Sequence, residues 1–195
     1  MPAGWKYEKK IEGTMPEMCD YSTAYRLPGG FNLVLDNLTG VTAIPPCTPL
    51  VVDFKARTAT AIVNVTVHET ISAGATTLKV KKGSLVYPNI HLGNGTNGGT
   101  VKGVDKTNAE YDVITLDGTP TLVAKAGDVL FEATAVAGKI PKVTANALNY
   151  AWCKVEQGAT VTAMGAVYDI KPSKLIAPVS DKDKESLGSR FLFTY

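Results

Sequence analysis

The stretch Thr60-Ala-Ile-Val-Asn-Val-Thr-Val-His68 alternates β-branched apolar residues with polar ones, which is the two-residue period of a strand with one buried face. Residues 77–81, 100–105 and 111–116 repeat this pattern over shorter lengths, and Gly- and Asn-containing turns separate them. Closely spaced strands of this kind are typical of an antiparallel barrel or sandwich, whereas βαβ units require a helix between strands. We therefore predict an all-β fold in which residues 51–138 form a module of half-buried strands.

Residues 139–195 add further strand patterns at 160–164, 165–170 and 190–195. They also contain the one plausible helix, Ser180-Asp-Lys-Asp-Lys-Glu-Ser-Leu187, with Ser180 as the N-cap, acidic residues in the first turn and Gly188 at the end. The C-terminal portion is thus predicted to be a set of strands and one short helix that pack on the same or a neighbouring subunit.

Residues 1–50 show no lasting period of 2 or 3.6, and Gly and Pro recur throughout them. The segment is nevertheless rich in large apolar side chains, which a merely flexible tail would not carry. We predict an extended N-terminal arm that orders by binding. Two alternatives stay open: the arm wraps the chain's own β structure, or it docks on another subunit or partner.

Composition excludes several classes of function. The 195 residues have a net charge of +2, which argues against a nucleic-acid partner, and no apolar stretch is long enough to predict a membrane span or an export signal. The 45% hydrophobic and 19% charged residues indicate a folded chain made in a cytoplasm. The three cysteines are predicted to be reduced thiols packed as small hydrophobic groups.

No motif predicts catalysis, a metal or a cofactor. The two histidines, His68 and His91, have no partner at a recognisable spacing and are interpreted as hydrogen-bonded strand residues. The aspartates 105, 112, 117 and 128 lack the spacing of a calcium loop and are expected to be solvated turn or cap residues. The Gly-rich segment 93–99 lacks a following Lys-Ser/Thr pair and is predicted to be a mobile hairpin tip.

Four segments of the strand-rich region carry a resemblance to a known family: Ile71-Ser-Ala-Gly-Ala-Thr-Thr-Leu-Lys-Val-Lys-Lys-Gly-Ser84, Val101-Lys-Gly-Val-Asp105, Tyr111-Asp-Val-Ile-Thr-Leu116 and Ala126-Gly-Asp-Val-Leu130. Together they resemble the β module of head fibre and capsid decoration proteins of tailed bacteriophages. The flanking segments of such proteins are similar to Pro45-Pro-Cys-Thr-Pro-Leu50 with Asp53, and to Ala145-Asn-Ala-Leu148. The resemblance covers roughly residues 27–195 and leaves residues 1–26 without a close match.

This resemblance implies a non-catalytic structural protein of the virion. Such a subunit is usually trimeric, is assembled in the host cytoplasm, and attaches to the major capsid protein on the outer surface of the head. Under this hypothesis the aromatic residues of the arm anchor it on the capsid or on a neighbouring protomer. These expected docking residues are Trp5, Tyr7, Tyr21, Tyr25 and Phe31.

Two other classes of function remain as alternatives. One is a carbohydrate-binding module on a virion or cell surface, in which the loop 93–99 and the tyrosines Tyr87 and Tyr111 contact host-surface glycans. The other is a polysaccharide depolymerase, which needs a pair of carboxylates in a cleft that no spacing in the sequence indicates.

Overall fold

The computed structural model describes residues 17–194, and these residues form sixteen strands and one α-helix. Two single 3-10 turns, Pro172–Lys174 and Gly188–Arg190, flank the helix α1, which spans Asp181–Leu187. The strands of the first half are β1 (Asp20–Arg26), β2 (Phe31–Leu33), β3 (Ala43–Ile44), β4 (Pro49–Asp53), β5 (Thr58–Ala61), β6 (Asn64–Thr66), β7 (Thr77–Lys81) and β8 (His91–Gly93). Those of the second half are β9 (Gly98–Asp105), β10 (Tyr111–Leu116), β11 (Val129–Ala133), β12 (Ala147–Asn149), β13 (Cys153–Lys154), β14 (Thr160–Val161), β15 (Ala163–Ile170) and β16 (Phe191–Phe193).

The larger sheet is built by the two ends of the described chain together. Its strands lie in the order β1-β15-β12-β4-β5-β2-β14, and β16 pairs with β15. Two of its pairings, β2 with β5 and β15 with β16, are parallel, where the sequence predicted antiparallel neighbours. The alternation of side chains indicates which face of a strand is buried, but it does not indicate whether the strand pairs in a parallel or an antiparallel direction. For strands this short, the connections between them determine that direction.

The smaller sheet is a curled barrel formed by the middle of the chain. Its order is β6-β11-β8-β9-β10-β7, every neighbouring pair is antiparallel, and a bridge between Val67 and Val80 joins the last strand to the end of the first. Closing the sheet in this way removes free edges. The mostly-β fold with one short helix near the C-terminus is therefore confirmed, and the barrel lies between β5 and β12 in the sequence.

The stretch 60–68 carries the chain from one sheet to the other. It ends β5, passes through Ile62 and Val63, and then forms β6, so that residues 61–67 are all buried. The prediction of a half-buried strand was wrong here, because both faces of this crossing segment are covered. Its polar residue Asn64 is 2% exposed, and its amide donates to the carbonyl of Pro178 at 3.0 Å and to Asp183 Oδ2 at 2.7 Å.

The larger sheet is covered on both faces. On β4, Leu50 and Val52 belong to the core that continues into the barrel, whereas Val51 packs against a second core beneath the C-terminal segment. Alternate residues of a strand point to opposite faces, so this division places one core on each side of the sheet. The second core includes Met18, Leu148, Met164, Leu187 and Phe191.

Helix α1 begins at a complete capping box. The Ser180 hydroxyl accepts a hydrogen bond from the Asp183 amide, and the Asp183 carboxylate accepts from the Ser180 amide at 3.2 Å and from its hydroxyl at 2.6 Å. The same carboxylate also accepts from the amide of Ala145 at 2.9 Å. The predicted N-cap and the predicted end at Gly188 are both confirmed.

Residues 20–50 of the predicted arm contribute β1, β2 and the start of β4 to the chain's own larger sheet, and β3 to a separate two-stranded sheet with β13. β1 pairs with β15, β2 with β5 and β14, and β4 with β12 and β5. The region is aperiodic in sequence because its strands are short and their neighbours come from distant parts of the chain. Residues 20–50 thus contact the chain's own strands, and docking of the arm on another subunit or partner stays a prediction.

Glycine is required where the barrel hairpin β8–β9 meets the loop after β11. A Cβ at Gly93 would overlap the backbone of Gly138, whereas a Cβ at Gly103 on β9 would meet nothing within 4 Å. We expect Gly93→Ala to lower the free energy of unfolding by about 1–3 kcal/mol, because the backbones must move apart. Gly103→Ala is the matched control, and denaturant unfolding measures both. Equal stabilities of the two variants would contradict this packing.

Candidate functional site

The structure places three of the five expected docking residues, whereas Trp5 and Tyr7 lie outside the described part of the chain. Phe31 is 1% exposed and packs in the core, with the guanidinium of Arg57 4.2 Å from its ring centroid. Tyr21 is half-buried, and its ring makes an edge contact with Tyr150 at 5.7 Å. Tyr25 is 61% exposed. Of these three side chains, Tyr25 alone has most of its surface exposed.

Sequence reasoning missed two residues that share the surface of Tyr25. Tyr168 on β15 is 48% exposed and Leu192 on β16 is 54% exposed. Tyr25 lies opposite Ala166, which is two residues before Tyr168, and residues two apart on a strand point to the same face. We call Tyr25, Tyr168 and Leu192 the outer apolar face.

A signal for this face was present in the sequence but incomplete. The strand pattern at 165–170 puts Val167 inside and Tyr168 outside, as observed. β15 pairs with both β1 and β16, and these pairings bring Tyr25 and Leu192 to its two sides. The paired residues are far apart in the sequence, so the strand pattern does not indicate that they meet. Asp169, with φ of 54°, also breaks the alternation by a bulge, so that Ile170 points inward again.

His91 on β8 has the hydrogen-bonded strand position expected of it, whereas His68 lies in a bend after β6 and makes a ring contact instead. The His91 ring nitrogen Nδ1 lies 2.9 Å from the Thr100 hydroxyl on the neighbouring strand. The ring of His68 stacks on Tyr111 with centroids 5.3 Å apart. Among residues 17–194 no group of three His, Cys, Asp or Glu side chains could hold a metal ion.

Asp112 differs from the solvated aspartate that the sequence predicted. It is fully buried on β10, where it forms an ion pair with Lys82 at 3.0 Å and accepts hydrogen bonds from the Ser84 amide at 3.0 Å and hydroxyl at 2.8 Å. Burial raises the pKa of Asp112, but the ion pair with Lys82 and the bonds from Ser84 outweigh it and hold the pKa below its ordinary value of 3.8.

This pKa shift predicts a stability difference that depends on pH. A depressed folded-state pKa means that the carboxylate stabilises the fold above the unfolded-state pKa, and that this contribution is lost as the pH falls through the lower, folded-state value. We expect Asp112→Asn to lower the free energy of unfolding by about 1–3 kcal/mol at neutral pH, and by progressively less below about pH 4. Denaturant unfolding at several pH values measures this, with Asp117→Asn in the exposed turn after β10 as the control. A loss for Asp112→Asn that does not change with pH would contradict the ion-pair account.

The residues considered for carbohydrate contact are largely engaged with their own chain. Tyr111 is covered by His68, and the Lys79 Nζ lies 5.0 Å from its ring centroid. The Tyr87 hydroxyl lies 3.4 Å from a carboxylate oxygen of Glu132, and burial followed by the Glu132 charge raises the pKa of Tyr87. In the loop 93–99, Asn94 Oδ1 accepts from the amides of residues 96 and 97. These contacts do not favour the carbohydrate alternative, which stays a prediction.

The arrangement as a whole is that of a mostly-β protein with exposed apolar side chains on its larger sheet. No helix in the described range 17–194 has the length and apolarity to span a bilayer. The comparison with protein families matches residues 7–192, nearly the whole chain, to the family described as head fiber protein of phages.

The chain belongs to the phage head fibre family, which confirms the resemblance seen in the sequence. It is therefore a structural protein of a bacteriophage virion. Neither the curated proteins nor the solved structures contain a match to the chain.

Proposed function

We propose that this chain is the subunit of a homotrimeric fibre that binds the major capsid protein on the outer surface of a phage head, without catalytic activity. The observation that supports this most is the family match over residues 7–192. Assembly in the host cytoplasm from a pool of folded subunits is part of the same proposal, in line with the near-neutral net charge of +2.

The outer apolar face supports a docking role. The exposed Tyr25, Tyr168 and Leu192 lie on three neighbouring strands, and aromatic side chains that become buried contribute a large share of the energy of protein interfaces. The face includes Tyr25 on β1, which is the first strand after residues 1–16 in the sequence. We propose that those residues, with Trp5 and Tyr7, extend the same contact.

The two edge strands of the larger sheet, as residues 17–194 form it, support an oligomer. β1 and β14 end the order of strands, and the outer backbone groups of an edge strand can pair with another chain. A closed trimer covers such edges by symmetry and leaves none free for further growth. The barrel already closes on itself, so these edges belong to the sheet that carries the outer apolar face.

Substitution on the outer apolar face tests the docking role. We expect the double variant Tyr25→Ser, Tyr168→Ser to be incorporated into heads at least ~10-fold less, because two exposed aromatic anchors are lost while the described core is kept. The amount of the protein in purified particles, by quantitative mass spectrometry, measures this. The matched control is Val123→Ser, Val136→Ser, which removes two exposed side chains from loops elsewhere on the chain. Equal incorporation of both double variants would overturn docking through this face.

A further inference from the structure

Two of the three cysteines lie next to each other in the folded chain. The Cys47 thiol donates a hydrogen bond to the Cys19 sulfur, and the two sulfurs are 3.7 Å apart although the residues are separated by 28 positions. Cys19 directly precedes β1, and Cys47 lies in the turn before β4, where its amide donates to the carbonyl of Asn149. Both thiols are free in this structure.

The third cysteine, Cys153, is separate from this pair. It is on β13 in the core that continues into the barrel, and its thiol faces the carbonyl oxygens of Lys154 and Thr160. The pair 19/47 belongs instead to the second core. Cys153 is therefore a natural internal control for the reactivity of the pair.

The two paired thiols differ in their access to solvent. A surface cavity of about 260 Å³ is lined by Cys19, whereas Cys47 does not line it and is 0% exposed. The hydrogen bond from Cys47 lowers the pKa of Cys19 and raises the pKa of Cys47, because it stabilises the Cys19 thiolate and the neutral Cys47 thiol. Cys19 is thus the sulfur that an external reagent meets first, and its lowered pKa favours the reactive thiolate form.

We propose that Cys19 and Cys47 are a native disulfide-forming site, which a small disulfide oxidant converts without unfolding the chain. The Cys19 thiolate attacks one sulfur of the oxidant, the S–S bond of the oxidant breaks, and one thiolate leaves. Cys47 then loses its proton and attacks Cys19 Sγ, which releases the second thiolate and forms the protein disulfide. Two cysteines are oxidised, one external disulfide is reduced to two thiols, and the two protein protons go to those products.

The bond would connect the edge strand β1 to the turn that leads into β4. It closes a loop between residues 19 and 47, and cross-links of this kind stabilise chiefly by restricting the unfolded chain. The sulfurs need to approach from 3.7 Å to the bond length of about 2.05 Å, a movement within the reach of side-chain rotation. A chain made in a reducing cytoplasm would gain this cross-link after reaching an oxidising medium.

Peptide mapping of the full chain tests the site. The native protein is treated with cystamine, remaining thiols are blocked with N-ethylmaleimide, and the protein is digested with trypsin without reduction. We expect the peptide of residues 11–26 to be joined to that of residues 27–55, and Cys153 to carry the blocking group. The melting temperature should rise by roughly 5–10 °C and return on reduction. Blocking of both Cys19 and Cys47, or cross-links to Cys153 or between chains, would overturn the proposal.

Single variants test the order of the two steps. Cys47→Ser should stop at a stable mixed disulfide between Cys19 and the cysteamine half of the oxidant, whereas Cys19→Ser should leave Cys47 unmodified. Cys153→Ser should still form the cross-link at the rate of the unaltered chain. A mixed disulfide on Cys47 of the Cys19→Ser variant would overturn the assignment of Cys19 as the first sulfur.

The charge of the cavity gives a second, independent readout. Three carboxylates, those of Glu17, Asp20 and Asp169, line it against one lysine, Lys171. We therefore expect the ratio of the rate with cationic cystamine to the rate with anionic oxidised glutathione to be larger for the protein than for a free cysteine peptide. Added salt should reduce this difference between the two ratios, because it screens the carboxylates. Identical relative rates for protein and peptide would overturn access through this cavity.

Discussion

Deleting residues 1–40 is expected to abolish folding, whereas deleting residues 1–16 is expected to leave a folded chain that is no longer incorporated into heads. The longer deletion removes β1 and β2, the buried Cys19 and four large buried side chains, those of Met18, Phe31, Leu33 and Leu38. Each such loss costs about 2–5 kcal/mol, so together they match or exceed the 5–15 kcal/mol that holds a typical domain. A deletion that tests docking without unfolding the chain must therefore end before Glu17.

The shorter deletion separates folding from docking. It keeps all of the described core but removes Trp5 and Tyr7, the two expected anchors that lie outside the described residues. Circular dichroism and denaturant unfolding report folding, and the protein content of purified heads reports docking. Wild-type incorporation of the chain that lacks residues 1–16 would contradict the proposed role of this segment.

Replacing Asp183 by alanine is expected to destabilise the chain by about 3–5 kcal/mol. Its carboxylate is 1% exposed and accepts hydrogen bonds from Asn64, Ala145 and Ser180, which belong to the crossing segment, the loop before β12 and the helix N-cap. Without the carboxylate, the buried Asn64 amide and the Ala145 N–H each lose a hydrogen-bond acceptor, at a cost of about 1–3 kcal/mol for each group. The substitution also breaks the capping box of the helix.

A matched aspartate on the same helix distinguishes this network from a general effect of helix charge. Asp181 is also in the first turn, but its side chain is 89% exposed and pairs with Lys184 at the surface. We expect Asp181→Ala to change the free energy of unfolding by less than about 1 kcal/mol. Similar losses for both variants in denaturant unfolding would contradict the account of Asp183 as the junction of three segments.

The local structure was largely predictable from the sequence. The strands 77–81 and 111–116 have the predicted bounds, and the helix has the predicted cap and end. These features depend on side-chain alternation and on capping chemistry, which act over a few residues. The mostly-β fold class followed from the same short-range signals.

The arrangement of the sheets was not predictable, because it depends on contacts between distant residues. The burial of Asp112 required a lysine and a serine from the neighbouring loop, and the burial of the stretch 60–68 required covering segments from both halves of the chain. The outer apolar face joins residues 25, 168 and 192 across three strands. Phe31, expected to dock on a partner, packs inside because β2 lies between β5 and β14.

The central proposal is that this head fibre family member binds the outside of the capsid as a trimer. Electron cryomicroscopy of heads that lack the protein, imaged before and after the purified chain is added, tests this most directly. The account predicts added density on the outer surface of the shell, with three copies around each attachment point. Density at the tail or inside the shell, or no added density from a folded chain, would contradict it.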